Sequence, residues 1–131
     1  MKPRVALCLV GLALSACSNR ALDVSCDELR NEPSMVREVR VEPGDEFEVA
    51  LCSNPSTGYR WEEPRVEDPA RIAFLERKYL GALSSLDGAA GTEVFAFEAL
   101  AKGRSAISFS YSQPWEGGDK GTWLTVTVVV E

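Results

Sequence analysis

Residues 92–111 read "TEVFAFEALAKGRSAISFSY". In the first half, Phe95, Phe97 and Ala99 recur at every second position. In the second half, Ile107, Phe109 and Tyr111 do the same. Successive side chains of a strand point to opposite faces, so each run is a strand with one apolar face. An amphipathic helix would repeat every three or four residues, and neither run does. Between them, "AKG" at 101–103 is a tight turn.

The same period extends outward. Thr122 to Val130 sets Leu124, Val126, Val128 and Val130 on one face and Thr125 and Thr127 on the other. Glu46 to Cys52 sets Phe47, Val49 and Leu51 against Glu46, Glu48, Ala50 and Cys52, which puts Cys52 on the outer face at a strand end. Met35 to Val41 is a strand with Val39 and Val41 together, and Tyr59 to Glu63 is a short one carrying Trp61. Arg71 to Leu80 is mixed, but Ile72, Phe74 and Tyr79 are strand formers and favour strand over helix. "EPGD" at 42–45 has Pro at its second position and Gly at its third, the pattern of a β-turn. The predicted fold is all-β, an immunoglobulin-like antiparallel β-sandwich of about seven or eight strands.

The N-terminus follows different rules. Lys2 and Arg4 precede an apolar run, Val5 to Ala16, that ends in "LSAC", Leu14 to Cys17. The run is short for a membrane-spanning helix and suits the apolar core of a signal peptide. Leu14 fits an ordinary cleavage site poorly, and "LSAC" resembles the bacterial lipobox, in which the cysteine is acylated and becomes the first mature residue. Plain secretion and a retained helix are the alternatives. The expected organisation is a lipoprotein signal peptide at 1–16, a lipid-anchored tether at 17–34 and a β-sandwich domain at 35–131. The resemblance implies a bacterial cell envelope location, with lipid on Cys17 as the membrane contact. Ser18 after that cysteine suits the outer membrane facing the periplasm in a Gram-negative cell.

With Cys8 lost in the signal and Cys17 acylated, Cys26 and Cys52 remain as an even pair in an oxidising compartment. A disulfide is the expected state, two buried thiols the alternative.

Composition closes off several functions. The chain holds no histidine, which removes Ser-His-Asp and Cys-His nucleophile systems and the commonest metal ligand. No glycine-rich phosphate loop precedes a helix. The pairs Glu62-Glu63 and Glu67-Asp68 look like solvated strand ends and turns rather than acid–base machinery. The net charge of −6 opposes nucleic-acid binding. We expect no enzyme activity, no cofactor, no metal and a monomer.

Three long segments interrupt the strands: 53–58 after one strand, 81–91 before the Thr92 run, and 112–121 after the Arg104 run. In a sandwich of alternating direction all three can emerge at one end, as binding loops do. In "SNPSTG" Asn54 can form an Asx-turn, Pro55 presets its φ and Gly58 accepts positive φ, so alone the segment is a good turn. "QPWE" at 113–116 places Trp115, the residue type most enriched at binding hot spots, on a polar Gly-rich loop.

Taken in order, "NPSTGY" at 54–59, "GAAG" at 88–91 and "QPWE" at 113–116 resemble the three loop motifs of chagasin-type inhibitors of papain-like cysteine peptidases. The family pattern is Asn-Pro-Thr-Thr-Gly, then Gly-x-Gly-Gly, then Arg-Pro-Trp. Ser56, Ala90 and Gln113 depart from it. The resemblance covers residues 35–131 and implies reversible, non-covalent occlusion of the peptidase cleft by three loops. It implies a peptidase-binding set of Asn54, Pro55, Ser56, Thr57, Gly58, Tyr59, Gly88, Gly91, Gln113, Pro114, Trp115 and Glu116. Thr57 would enter near the catalytic cysteine, with Trp115 as apolar anchor. The rival expectation is an envelope β-sandwich lipoprotein that binds a non-peptidase partner, such as a glycan, through the same loops. Tyr59, Trp61 and Trp115 are the aromatics near the loops for such a site.

Overall fold

The computed structural model describes residues 19–81, 90–118 and 121–131. The predicted signal segment, Cys17 and Gly88 lie outside them. In chain order the elements are β1 (Arg20–Val24), α1 (Cys26–Asn31), β2 (Ser34–Val41), β3 (Glu46–Ser53), β4 (Arg60–Trp61), β5 (Arg65–Val66), β6 (Ile72–Leu80), β7 (Gly91–Ala99), β8 (Gly103–Ser112) and β9 (Thr122–Val130). One sheet has the order β1-β3-β7-β6 and the other β2-β9-β8-β4, with β5 also paired to β8.

The two runs on either side of "AKG" are therefore not a hairpin. β7 belongs to one sheet and β8 to the other, and the turn carries the chain between layers. Their apolar faces meet in the middle. Phe95 and Phe109 touch edge-on with ring centroids 5.3 Å apart, and Phe97 packs on Phe109 at 6.1 Å. Phe47, Val49, Leu51 and Ile72 from the first sheet and Ile107, Leu124, Val126 and Val128 from the second complete a dry core. Each such side chain contributes about 1.5–3 kcal/mol by leaving water.

The predicted strand at 71–80 is β6, and the turn at 42–45 closes with the Asp45 amide donating to the Glu42 carbonyl over 3.0 Å, Gly44 holding a φ of 90°. Three features differ from the sequence expectation. Two pairings are parallel, β1 with β3 and β2 with β9. Parallel neighbours need a crossover, and the chain makes one by passing from β1 through α1 to the other sheet before returning as β3. Second, much of the segment expected as a tether is folded, since residues 20–31 form β1 and α1. Third, the far face of β3 is covered: Ala50 is fully buried and Cys52 nearly so.

Cys52 is bonded to Cys26, with their Cα atoms 5.2 Å apart, an ordinary disulfide separation. That bond staples the start of α1 to the end of β3. Ser25 caps the helix, accepting from the Glu28 amide at 3.2 Å while the Glu28 carboxylate accepts from the Ser25 amide at 3.2 Å. The Ser25 amide, followed by the Arg37 side chain, holds the Glu28 carboxyl below its ordinary pKa.

Candidate functional site

Register decides which segments share a pole of the sandwich. Ser53 at the end of β3 faces Gly91 at the start of β7, and Leu80 at the end of β6 faces Thr92. On the other sheet, Arg60 at the start of β4 faces Ser112 at the end of β8, and Tyr111 faces Thr122 at the start of β9. The segments 54–59, 81–90 and 113–121 thus leave the strands at one end. The opposite end carries the 42–45 turn and the 100–102 turn, tied by the Gly44 amide to the Ala99 carbonyl at 2.8 Å.

The first loop is a single 3-10 turn over Pro55–Thr57, fixed by its own side chains. Asn54 Oδ1 accepts from the Ser56 amide at 3.2 Å and from Ser56 Oγ at 2.6 Å, which is the expected Asx-turn. The Thr57 amide donates to the Asn54 carbonyl at 3.1 Å. Thr57 Oγ1 donates to that same carbonyl at 2.7 Å and accepts from the Tyr59 amide at 3.3 Å. The Asn54 amide donates to Tyr111 Oη at 3.0 Å, anchoring the loop to β8. Thr57 is exposed, but its hydroxyl is committed within the loop, so its methyl group is the part free to meet a partner.

Gly58 has a φ of 85° and no room for a side chain: a Cβ there would lie 2.6 Å from Trp115 Cη2. The indole of Trp115 lies across Gly58 and joins the first loop to the third. Even so, Trp115 is 53% exposed. Pro114 and Glu116 beside it are exposed, Gln113 is half-buried, and the Gly118 amide closes the turn on the Trp115 carbonyl at 3.0 Å.

The other predicted residues are placed differently. Gly91 is buried as the first residue of β7, and a Cβ there would collide with the Leu80 carbonyl and Tyr79 Oη, so it serves close packing. Ala90 packs against the core. Tyr59 is half-buried and stacks on Tyr111 at 5.4 Å, which tilts on Trp61 at 4.7 Å. Trp61 itself is 1% exposed, with Nε1 donating to the Cys52 carbonyl at 3.0 Å. The sequence reading that counted Trp61 among aromatics available near the loops is corrected by that burial. This row of rings runs from loop to core.

The acidic pairs have structural roles. Glu62 Oε2 accepts from Ser112 Oγ at 3.1 Å, and Glu67 Oε1 accepts from the Ala106 amide at 3.1 Å. Among the described residues no three His, Cys, Asp or Glu side chains cluster as metal ligands would.

Sequence reasoning missed α1, which stands beside the first loop at the same pole. Its signal was present as Ser25-x-x-Glu28, the capping-box pattern.

Residues 40–130 match the model described as "Chagasin family peptidase inhibitor I42". Chagasin of Trypanosoma cruzi is 40% identical over 77 residues, which is 56% of this chain and 70% of that protein. Two solved structures share the fold. The cysteine protease inhibitor EhICP2 from Entamoeba histolytica gives a TM-score of 0.59 at 23% identity over 86% of this chain and 96% of that one. PbICP-C, solved in complex with falcipain-2, gives 0.62 at 15% identity over 76% of this chain and 91% of that one.

Proposed function

The chain belongs to the chagasin family of peptidase inhibitors, and from that premise we propose that it is a reversible, non-covalent inhibitor of papain-like cysteine peptidases. The family is one of inhibitors, not enzymes. The observation that carries the proposal is the Trp115 ring lying across Gly58, which makes one ridge of the 54–59 and 113–118 loops at one pole. In this proposal the ridge enters the peptidase cleft and covers its floor.

A loop in a peptidase cleft must resist being cut. Here the backbone is bent into a 3-10 turn, with Thr57 and Asn54 side chains bonded to it, so it does not present the extended form a substrate takes. The same bonds reduce the ordering cost of association. Trp115 is the apolar anchor and the Thr57 methyl is the tip. Protease–inhibitor contacts bury about 1,600 Å² in total, an area within reach of three loop ends. Burial of Trp61 removes one of the three aromatics that a planar glycan platform would need, so the non-peptidase reading has less support.

The second part of the proposal is that the protein is held in a bacterial envelope by lipid on Cys17. Its support is the lipobox-like "LSAC" and the place where the chain enters the fold, since Arg20 faces Glu48 toward the pole opposite the loops.

A soluble form starting at Ser18, titrated against a panel of papain-like peptidases, tests the inhibitor reading. Inhibition at micromolar concentration or below is expected, and no inhibition of any panel member at that concentration would refute it. Trp115→Ala should weaken inhibition by about 2 kcal/mol, close to 30-fold, with little change in Tm because the ring is half-exposed.

A further inference from the structure

Beside the first loop lies a groove of about 410 Å³. Leu29, Arg30 and Pro33 form one wall, and Asn54, Thr57 and Tyr59 form the other. The first wall lies before residue 40, where the family match begins. It is also held firmly. A six-residue helix has no stability of its own. Here the capping box closes its start, the disulfide fixes Cys26 two residues from Asn54, and Arg37 of β2 reaches Glu28 at 3.4 Å and Glu32 at 3.2 Å.

We propose that this groove is a fourth contact of the inhibitory face and receives an apolar side chain of the bound peptidase, from the surface that flanks its cleft. The inference rests on the inhibitor reading above. Three observations select that occupant. Asn54, Thr57 and Tyr59 belong both to the loop and to the groove, so a body seated on Thr57 also covers the opening beside it. Leu29, Pro33 and the rings of Tyr59 and Tyr111 give the lining its apolar part, and Arg30 is its one charged residue with no carboxylate beside it, so it suits an apolar group better than a cation. The volume lies within the range of pockets that bury an apolar ligand, and binding hot spots are anchors seated in such pockets. β1 itself begins at the pole opposite the groove, where Arg20 faces Glu48.

Arg30 has an exposed side chain on the groove wall, so Arg30→Trp can fill the space without disturbing the core. The expected result is an unchanged Tm and inhibition weakened about tenfold or more. Arg104→Trp, exposed at the far pole, should inhibit as the parent does. Independently of any variant, hydrogen exchange at the amides of residues 26–31 should slow when the unaltered protein is saturated with the peptidase. If Arg30→Trp folds and inhibits normally, or those amides exchange at the same rate in the complex, the groove proposal is overturned. The two readings fail separately. Loss of inhibition by Trp115→Ala with none by Arg30→Trp refutes the groove alone, whereas an unaltered protein that inhibits no papain-like peptidase refutes the parent reading.

Discussion

Gly58 meets two demands at once. Its φ of 85° is a conformation that an L side chain adopts at a cost, and the Trp115 indole occupies the space a Cβ would need. Gly58→Ala should therefore cost about 1–2 kcal/mol in backbone strain. It should also displace the ring and weaken inhibition at least as much as that strain implies, about tenfold. Gly44→Ala is the comparison. Its φ of 90° imposes the same class of strain, nothing lies within 4 Å of the added carbon, and it sits at the far pole. Denaturant midpoints should fall for both variants, while the inhibition constant should change for Gly58→Ala only. Equal inhibition by both would break the link between the Trp115 contact and function. Thr57 separates shape from hydrogen bonding in the same loop. Its hydroxyl bonds Asn54 and Tyr59 within the loop, while the residue as a whole is exposed. Thr57→Ser keeps the bonds and loses one methyl, worth about 0.8 kcal/mol or roughly a fourfold weaker inhibitor at unchanged Tm. Thr57→Val keeps the shape but drops both bonds, and should lower stability by about 1 kcal/mol or more. Calorimetry and inhibition assays on the pair decide it, and the opposite pattern would assign the partner contact to the hydroxyl.

Among elements, α1 depends most on covalent support. The Cys26–Cys52 bond spans a sequence separation of 26. Closing a loop of that length removes about 3.5 kcal/mol of unfolded-chain entropy in the usual model. The double variant Cys26→Ser, Cys52→Ser should lose most of that in a urea titration. A loss below about 1 kcal/mol would mean that capping and the Arg37 ion pairs suffice to hold the segment. These elements also mark how far the sequence could be read. β9 was legible because it buries alternate side chains along its whole length, β7 and β8 because they do so over most of theirs, and β3 because its inner face alternates strictly. β1 was not legible, since only Val24 of its five residues is buried and it lies at the edge of its sheet. Alternation reports which side chains share a face, not which strand lies alongside, so the parallel pairings left no mark. For the same reason Trp61 looked available. Its burial depends on a carbonyl nine positions earlier in the other sheet and on rings from β8. The loop motif, in contrast, was readable at the level of its Asx-turn because every bond of that turn is local.

At the scale of the whole molecule, the two ends of the sandwich do different work. β1 begins where Arg20 faces Glu48, and β9 ends where Val130 faces Gly103 and Val41, so the chain enters and leaves the domain toward the plain pole. The loops at 54–59 and 113–118 lie at the other pole, one strand away. β3 has eight residues, which at about 3.4 Å per residue separates the poles by roughly 27 Å. Cys17 is three positions before Arg20, so a lipid there holds the plain pole within about 10 Å of the surface. The loops then face away from the membrane and stay open to a peptidase of ordinary size. Attachment should therefore be nearly silent in function. Protein carrying lipid on Cys17, incorporated in vesicles, should inhibit within about threefold of the soluble form starting at Ser18, and so should protein fixed to beads through a tag after Glu131. Mass measurement of the N-terminal fragment from bacterial membranes checks that the lipid is on Cys17. A tenfold loss on the vesicle alone would mean that the membrane crowds the loops, and the proposed orientation would be wrong.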